Sequence, residues 1–118
     1  MAAAEDVASQ RFESGLWLGF YEQTGVRFRQ EQTMEFADGV VRGDGNDGLG
    51  SFRIEGVYRR HGDTMRLGWI KTYTGAHSVL YMGELDGQWI RGRWELDGGW
   101  GDAFAFAPAA VARMEARE

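Results

Sequence analysis

Turn signals carrying glycine recur along this chain about every eight to twelve residues, a rhythm that leaves room for short strands and little else. They fall at Thr24-Gly25, Asp38-Gly39, the run from Gly43 to Gly50, His61-Gly62-Asp63, Thr74-Gly75-Ala76, Asp86-Gly87 and Asp97-Gly98-Gly99. Seven signals separate eight strands, expected at about 15 to 23, 26 to 37, 40 to 43, 51 to 60, 64 to 73, 77 to 85, 88 to 96 and 100 to 107. An Asp-Gly or Thr-Gly pair supplies the positive φ angles that a tight hairpin requires. The composition agrees, with 18 glycines against one proline, and five Trp, four Tyr and seven Phe to fill an interior.

At 118 residues the chain has material for one core and one domain. Residues 1–14 are expected to form a flexible arm, 15–107 the strand domain, and 108–118 a tail or a short helix starting after Pro108. Because every connection is short, neighbours in sequence should be neighbours in space, which gives an up-and-down meander. Eight such strands can close into an all-β, antiparallel barrel, and closure removes both exposed sheet edges. The lumen of an eight-stranded barrel is just wide enough to be packed with side chains or to hold one small ligand.

Alternation along each strand, carried across each hairpin, fixes which side chains point inward. Val79, Tyr81 and Leu85 share a face with Ile90, Trp94 and Leu96, while Ser78, Glu84, Arg91, Arg93 and Glu95 share the other. Three-residue loops at Thr74-Gly75-Ala76 and Asp97-Gly98-Gly99 add Met65, Leu67, Trp69, Lys71, Tyr73, Trp100, Asp102, Phe104 and Phe106 to the inward set. Pairing of Tyr21 with Phe28 brings in Trp17, Gly19, Gln30, Gln32, Met34 and Phe36, and Phe52, Ile54 and Tyr58 complete the lining.

The loops after strands one, three, five and seven lie at the same end of a meander. That end should gather Tyr21, Phe28, Phe52, Lys71, Tyr73, His77, Trp94, Trp100 and Asp102 around one mouth. The opposite end holds Trp17, Met34, Phe36, Tyr58, Leu85, Ile90 and Phe106, which read as a plug. A buried ammonium needs a partner, and Asp102 is the expected partner of Lys71.

Other chemistries find no support. A net charge of -5 without a basic stripe excludes nucleic acid as the expected partner. No apolar leader or run of eighteen apolar residues points to secretion or a membrane, so a cytoplasmic location is expected. There is no cysteine for a disulfide, a thiolate or Cys-bound zinc. Asp44, Asn46 and Asp47 invite a calcium reading, but the run Arg42 to Gly50 lacks the ligand spacing and distal Glu of an EF-hand loop. Its glycines precede a strand, whereas phosphate-cradling loops open a helix. Two histidines are too few to point to a histidine metal site, and no Gly-x-Ser-x-Gly elbow is present. No metal and no cofactor are expected.

The first strand opens Gly15-Leu16-Trp17, with Gly19 and Tyr21 following. Together with the eight-strand meander, this resembles the Gly-x-Trp opening of the calycin superfamily, which comprises lipocalins, fatty-acid-binding proteins and avidins. The resemblance implies a calycin-like barrel over about residues 15 to 107, with Trp17 closing the floor beneath a small-molecule pocket. The chain departs from the lipocalins in its length and in lacking a disulfide and a long lid after the first strand. It lacks the helical pair of a fatty-acid-binding-protein portal.

The expected function is therefore binding of a small, largely apolar molecule with a polar or anionic head. Trp69, Tyr81, Trp94 and Phe104 would form the walls, and Tyr21, Lys71, Tyr73, His77 and Asp102 would contact the head. One alternative is a cofactor-free isomerase or cyclase in the same cavity, with His77 or Asp102 moving a proton and Lys71 or a Tyr stabilising an enolate oxygen. A second is a filled barrel serving protein interaction or homo-oligomerisation through Leu80, Met82 and Trp89.

Overall fold

Eight strands follow one another around a closed barrel, each paired antiparallel with the next and the last with the first. The structure is a computed structural model and describes residues 12–116. The strands are β1 (Gly15–Gln23), β2 (Val26–Ala37), β3 (Val40–Asp47), β4 (Gly50–His61), β5 (Thr64–Tyr73), β6 (Ser78–Asp86), β7 (Trp89–Glu95) and β8 (Gly101–Pro108). A helix, α1 (Ala109–Ala116), follows directly and packs against β1 and β8. Most of the expected arm, residues 1–11, and the last two residues of the chain lie outside the described residues.

Local chemistry sets the register. Thr24 and Gly25 adopt φ of 49° and 81°, and Asp38 and Gly39 adopt 51° and 79°. These are two-residue turns whose twist matches the flanking strands. Both expected three-residue loops form, closed by Tyr73 N donating to His77 O at 3.2 Å and Leu96 N donating to Trp100 O at 2.8 Å. The β6–β7 turn sits one residue later than expected, over Gly87-Gln88, because Asp86 pairs with Trp89. The faces are unchanged, since Leu85 pairs with Ile90 and both belong to the interior.

The largest correction concerns β3. The run Gly43 to Gly50 is not a loop: β3 continues to Asp47, and the turn shrinks to Gly48 and Leu49 between the paired Asp47 and Gly50. Its glycines are strand residues in a barrel wall where β2 passes too close for a side chain. A Cβ at Gly43 would collide with the Thr33 carbonyl, and one at Gly45 with the Glu31 carbonyl. Small residues alternating with large ones are what lets a narrow barrel hold many rings. Gly45 stands between Gln32 and Phe52, and Gly56 against Trp69.

Most of the lumen is filled. At the closed end Trp17, Met34, Phe36, Tyr58, Ile90 and Phe106 are buried. Phe12, from the stretch before β1, joins them, stacked on Phe36 at 4.7 Å and edge-on to Tyr58 at 5.3 Å. Trp17 Nε1 donates to Glu13 O at 2.7 Å, and Ser14 Oγ accepts from Phe36 N at 3.1 Å, so this stretch is tied to the floor. Midway up, Trp69 stacks on Tyr81 at 5.3 Å with Phe104 edge-on at 5.4 Å. A cavity opens above this layer, at the end bearing the loops after β1, β3, β5 and β7.

Candidate functional site in the barrel mouth

The mouth is organised by one buried cation. Lys71 lies on β5 in phase with Leu67, Trp69 and Tyr73, so the same alternation that buries those side chains carries its ammonium into the lumen. Its side chain is 2% exposed, and the carboxylate of Asp47 beside it is fully enclosed. Nζ donates to Asp47 Oδ2 at 2.9 Å and to Gln30 Oε1 at 2.8 Å. The rings of Tyr73, Phe52, Tyr21 and Tyr81 surround it, with centroids 4.7, 4.8, 5.0 and 5.1 Å from Nζ. Desolvating an ammonium costs several kcal/mol, which a hydrogen-bonded counter-ion and ring faces offset in part.

The charge orders its surroundings. An ammonium has no acceptor, so Gln30 must turn its amide oxygen toward Lys71. Its Nε2 then donates to Gln32 Oε1 at 2.7 Å, and Gln32 Nε2 donates to Met34 Sδ at 3.1 Å. A polar chain thus runs down β2 toward the floor. Asp47 collects further donors: the Tyr73 hydroxyl bonds to Oδ2, and Leu49 N donates to Oδ1 at 2.8 Å.

Burial pushes Lys71 down from the ordinary 10.5 to about 8, a shift that the Asp47 contact limits. Burial alone would raise the Asp47 carboxyl, but bonds from Tyr73, Lys71 and the Leu49 amide prevail and hold it below the usual range. Tyr73 is driven well above the ordinary phenol range by burial and by its bond to Asp47. Tyr81 and Tyr21 are raised by burial and by the Asp47 charge. At neutral pH the site therefore combines a paired ammonium and carboxylate with neutral phenol hydroxyls.

Above this floor lies a cavity of about 110 Å³, walled by Tyr21, Gln23, Leu49, Lys71, Tyr73, His77, Val79, Tyr81, Trp94, Leu96 and Trp100. Trp94 is held by Nε1 donating to Glu22 O at 2.8 Å and carries Trp100 edge-on at 5.3 Å. Trp100 is 48% exposed and forms part of the rim. His77 is also exposed, its ring 5.0 Å from that of Tyr73.

Of the residues expected around the ligand, Tyr21, Lys71, Tyr73, His77, Tyr81, Trp94 and Trp100 meet at the cavity, and five do not. Phe28 stacks on Tyr21 from outside the cavity, at 5.2 Å and 38% exposed. Phe52 sits against Lys71, and Trp69 and Phe104 belong to the filled layer below. Asp102 is not the partner of Lys71; its Oδ1 instead accepts from Ala103 N at 2.8 Å. Asp47 takes that role because β3, extended past its glycines, delivers an inward carboxylate directly across from Gln30. Strand parity was the available signal: Asp47 is in phase with Val41, Gly43 and Gly45.

Among the described residues no group of three or more His, Cys, Asp or Glu side chains is placed to hold a metal ion. No helix among them is long and apolar enough to cross a membrane. On the outer wall, Met82 is 58% exposed, whereas Trp89 is half-buried with Nε1 donating to Glu115 at 2.6 Å.

Fold and site together define a closed, eight-stranded, up-and-down β-barrel with a charged pair in an aromatic mouth. Comparison of the chain with protein-family models, with curated proteins and with solved structures found no match.

Proposed function

We propose that the barrel mouth binds a small, largely apolar molecule with a polar head, in the manner of a calycin-like carrier or sensor. The observation that carries this reading is a cavity of about 110 Å³ whose walls are mostly rings and whose floor presents Lys71, Tyr73 and Tyr81. Binding sites of this kind are largely apolar, with a few convergent polar groups to orient the ligand. A cavity of roughly 150 Å³ accommodates benzene, so the buried part of the ligand is at most about one ring, with any remainder reaching past Trp100. The Gly15-Leu16-Trp17 opening and the buried floor position of Trp17 support the calycin-like assignment.

The floor chemistry narrows the head group. Asp47 already neutralises Lys71, so a carboxylate head would add an uncompensated charge to a buried site. A carbonyl or hydroxyl, which accepts from Lys71 or a phenol without adding charge, fits better. Two measurements test the proposal. Native mass spectrometry of the purified protein should find a retained small molecule. Titration with small aromatic carbonyls and alcohols should quench the fluorescence of Trp94 and Trp100. Absence of any response across the panel, with an unchanged melting temperature, refutes it.

A further inference from the structure

Lys71 is the chain's single lysine; the other twelve of its 13 Lys and Arg residues are arginines. Every described arginine is exposed, so the one cation placed in the lumen is also the one of a different kind. The difference is chemical. A guanidinium keeps its proton under all ordinary conditions, whereas a buried ammonium can release one and become a nucleophilic amine. Holding a charge in place would suit arginine as well; a reacting amine requires lysine.

We propose that Lys71 captures a small aldehyde as a Schiff base within the mouth cavity. The inference rests on the cavity being the binding site and adds a covalent bond to that reading. Three features of the geometry support it. Lys71 forms part of the cavity wall, so a small aldehyde bound there meets its side chain. Asp47, whose side chain is enclosed, is a counter-ion for the product as it is for the ammonium. The Tyr73 hydroxyl, bonded to Asp47, and the Tyr81 hydroxyl, 3.4 Å from Gln30 Oε1, are neutral donors close to the amine.

In the step itself, the lone pair of the neutral amine attacks the carbonyl carbon. A C–N bond forms as the carbonyl π pair moves onto oxygen, and proton transfer from nitrogen to oxygen leaves a carbinolamine. The remaining nitrogen pair then forms the C=N bond and expels the hydroxyl, which takes a proton and leaves as water. Starting from the ammonium, its three protons end as one on the iminium nitrogen and two in the water released. The charge beside Asp47 is the same before and after, so capture adds no desolvation penalty for a new ion. Burial favours the step further, since an amine titrating near 8 is neutral more than a hundred times as often at pH 7.5 as one titrating at 10.5.

The full chain is incubated with benzaldehyde and cyanoborohydride at pH 7.5, and adducts are located by intact mass and peptide mapping. The α-amino terminus and an acetylated lysine amide in solution serve as reference amines. The expected result is a benzyl group on Lys71, formed about tenfold or more faster than on the lysine amide and slowed severalfold by excess benzyl alcohol. An adduct confined to the α-amino terminus, or a Lys71 rate equal to that of the lysine amide, overturns the proposal. So does a rate that benzyl alcohol leaves unchanged. Benzyl alcohol alone, followed by tryptophan quenching, separates the two levels of inference. Quenching without a Lys71 adduct removes the Schiff base and leaves the cavity as a binding site; neither signal removes both.

Discussion

Replacing Asp47 by Asn keeps the shape of the side chain and removes the only carboxylate bonded to Lys71 among the described residues. At pH 6 the folded variant must either hold an unpaired ammonium among four rings or release its proton, and breaking a buried pair in this way costs about 3 to 5 kcal/mol. The penalty should shrink as pH rises. Lys71 titrates near 8 in the folded chain against 10.5 when unfolded, so between those values the unfolded chain binds more protons and native stability increases with pH. The interval corresponds to about 3 kcal/mol at most. At pH 9.5 the native lysine is already largely neutral, and Asp47→Asn then removes only hydrogen bonds, at about 1 to 2 kcal/mol. Urea denaturation of both proteins at pH 6 and pH 9.5, followed by tryptophan fluorescence, should show the destabilisation falling by about 2 kcal/mol or more. Equal penalties at the two pH values, or a penalty under about 1 kcal/mol at pH 6, would refute the reading of Lys71 as a desolvated, Asp47-dependent cation.

Gly43→Ala and Gly45→Ala, whose added methyls meet the β2 backbone, should each destabilise by about 2 kcal/mol or more, whereas Gly48→Ala, with open space around it, should change stability by less than about 0.5 kcal/mol in the same assay. Phe12→Ala should cost about 3 kcal/mol, because its ring is 3% exposed and stacked into the floor. Tyr73 and Tyr81 hold their protons above the usual phenol range, so unfolded chains lose them first as pH rises past 10. The stability they contribute is complete below that pH and lost above it, and NMR of labelled tyrosine should show both rings still neutral in native protein at pH 11.

Hairpin chemistry made most of the barrel legible. Type and length of each turn carried the register from strand to strand, and that alone placed Lys71, Tyr73, Tyr81 and Trp94 inside. The misreading arose where one residue type serves two purposes. Glycine marks a turn by permitting positive φ, but at Gly43 and Gly45 it marks a strand that passes too near its neighbour for a Cβ, and local sequence does not distinguish the two. A β3 that ends at Gly43 leaves Asp47 in a loop, and alternation then offers Asp102 as the acid on the same face as the ammonium. Phe12 is hidden from local sequence for a related reason: it lies before the first strand, and only closure of the barrel creates the floor that it fills. The extent of filling depends on how Trp69, Tyr81 and Phe104 stack across the lumen, a long-range packing outcome that alternation within strands does not specify.

A single lysine makes the mouth directly observable. With lysine labelled at Cε by carbon-13, the protein should give one side-chain resonance in NMR, titrating near pH 8 and shifting when benzyl alcohol is added. A resonance that titrates near 10.5 and ignores the alcohol would mean that Lys71 is a solvated surface amine, and the site described here would not exist.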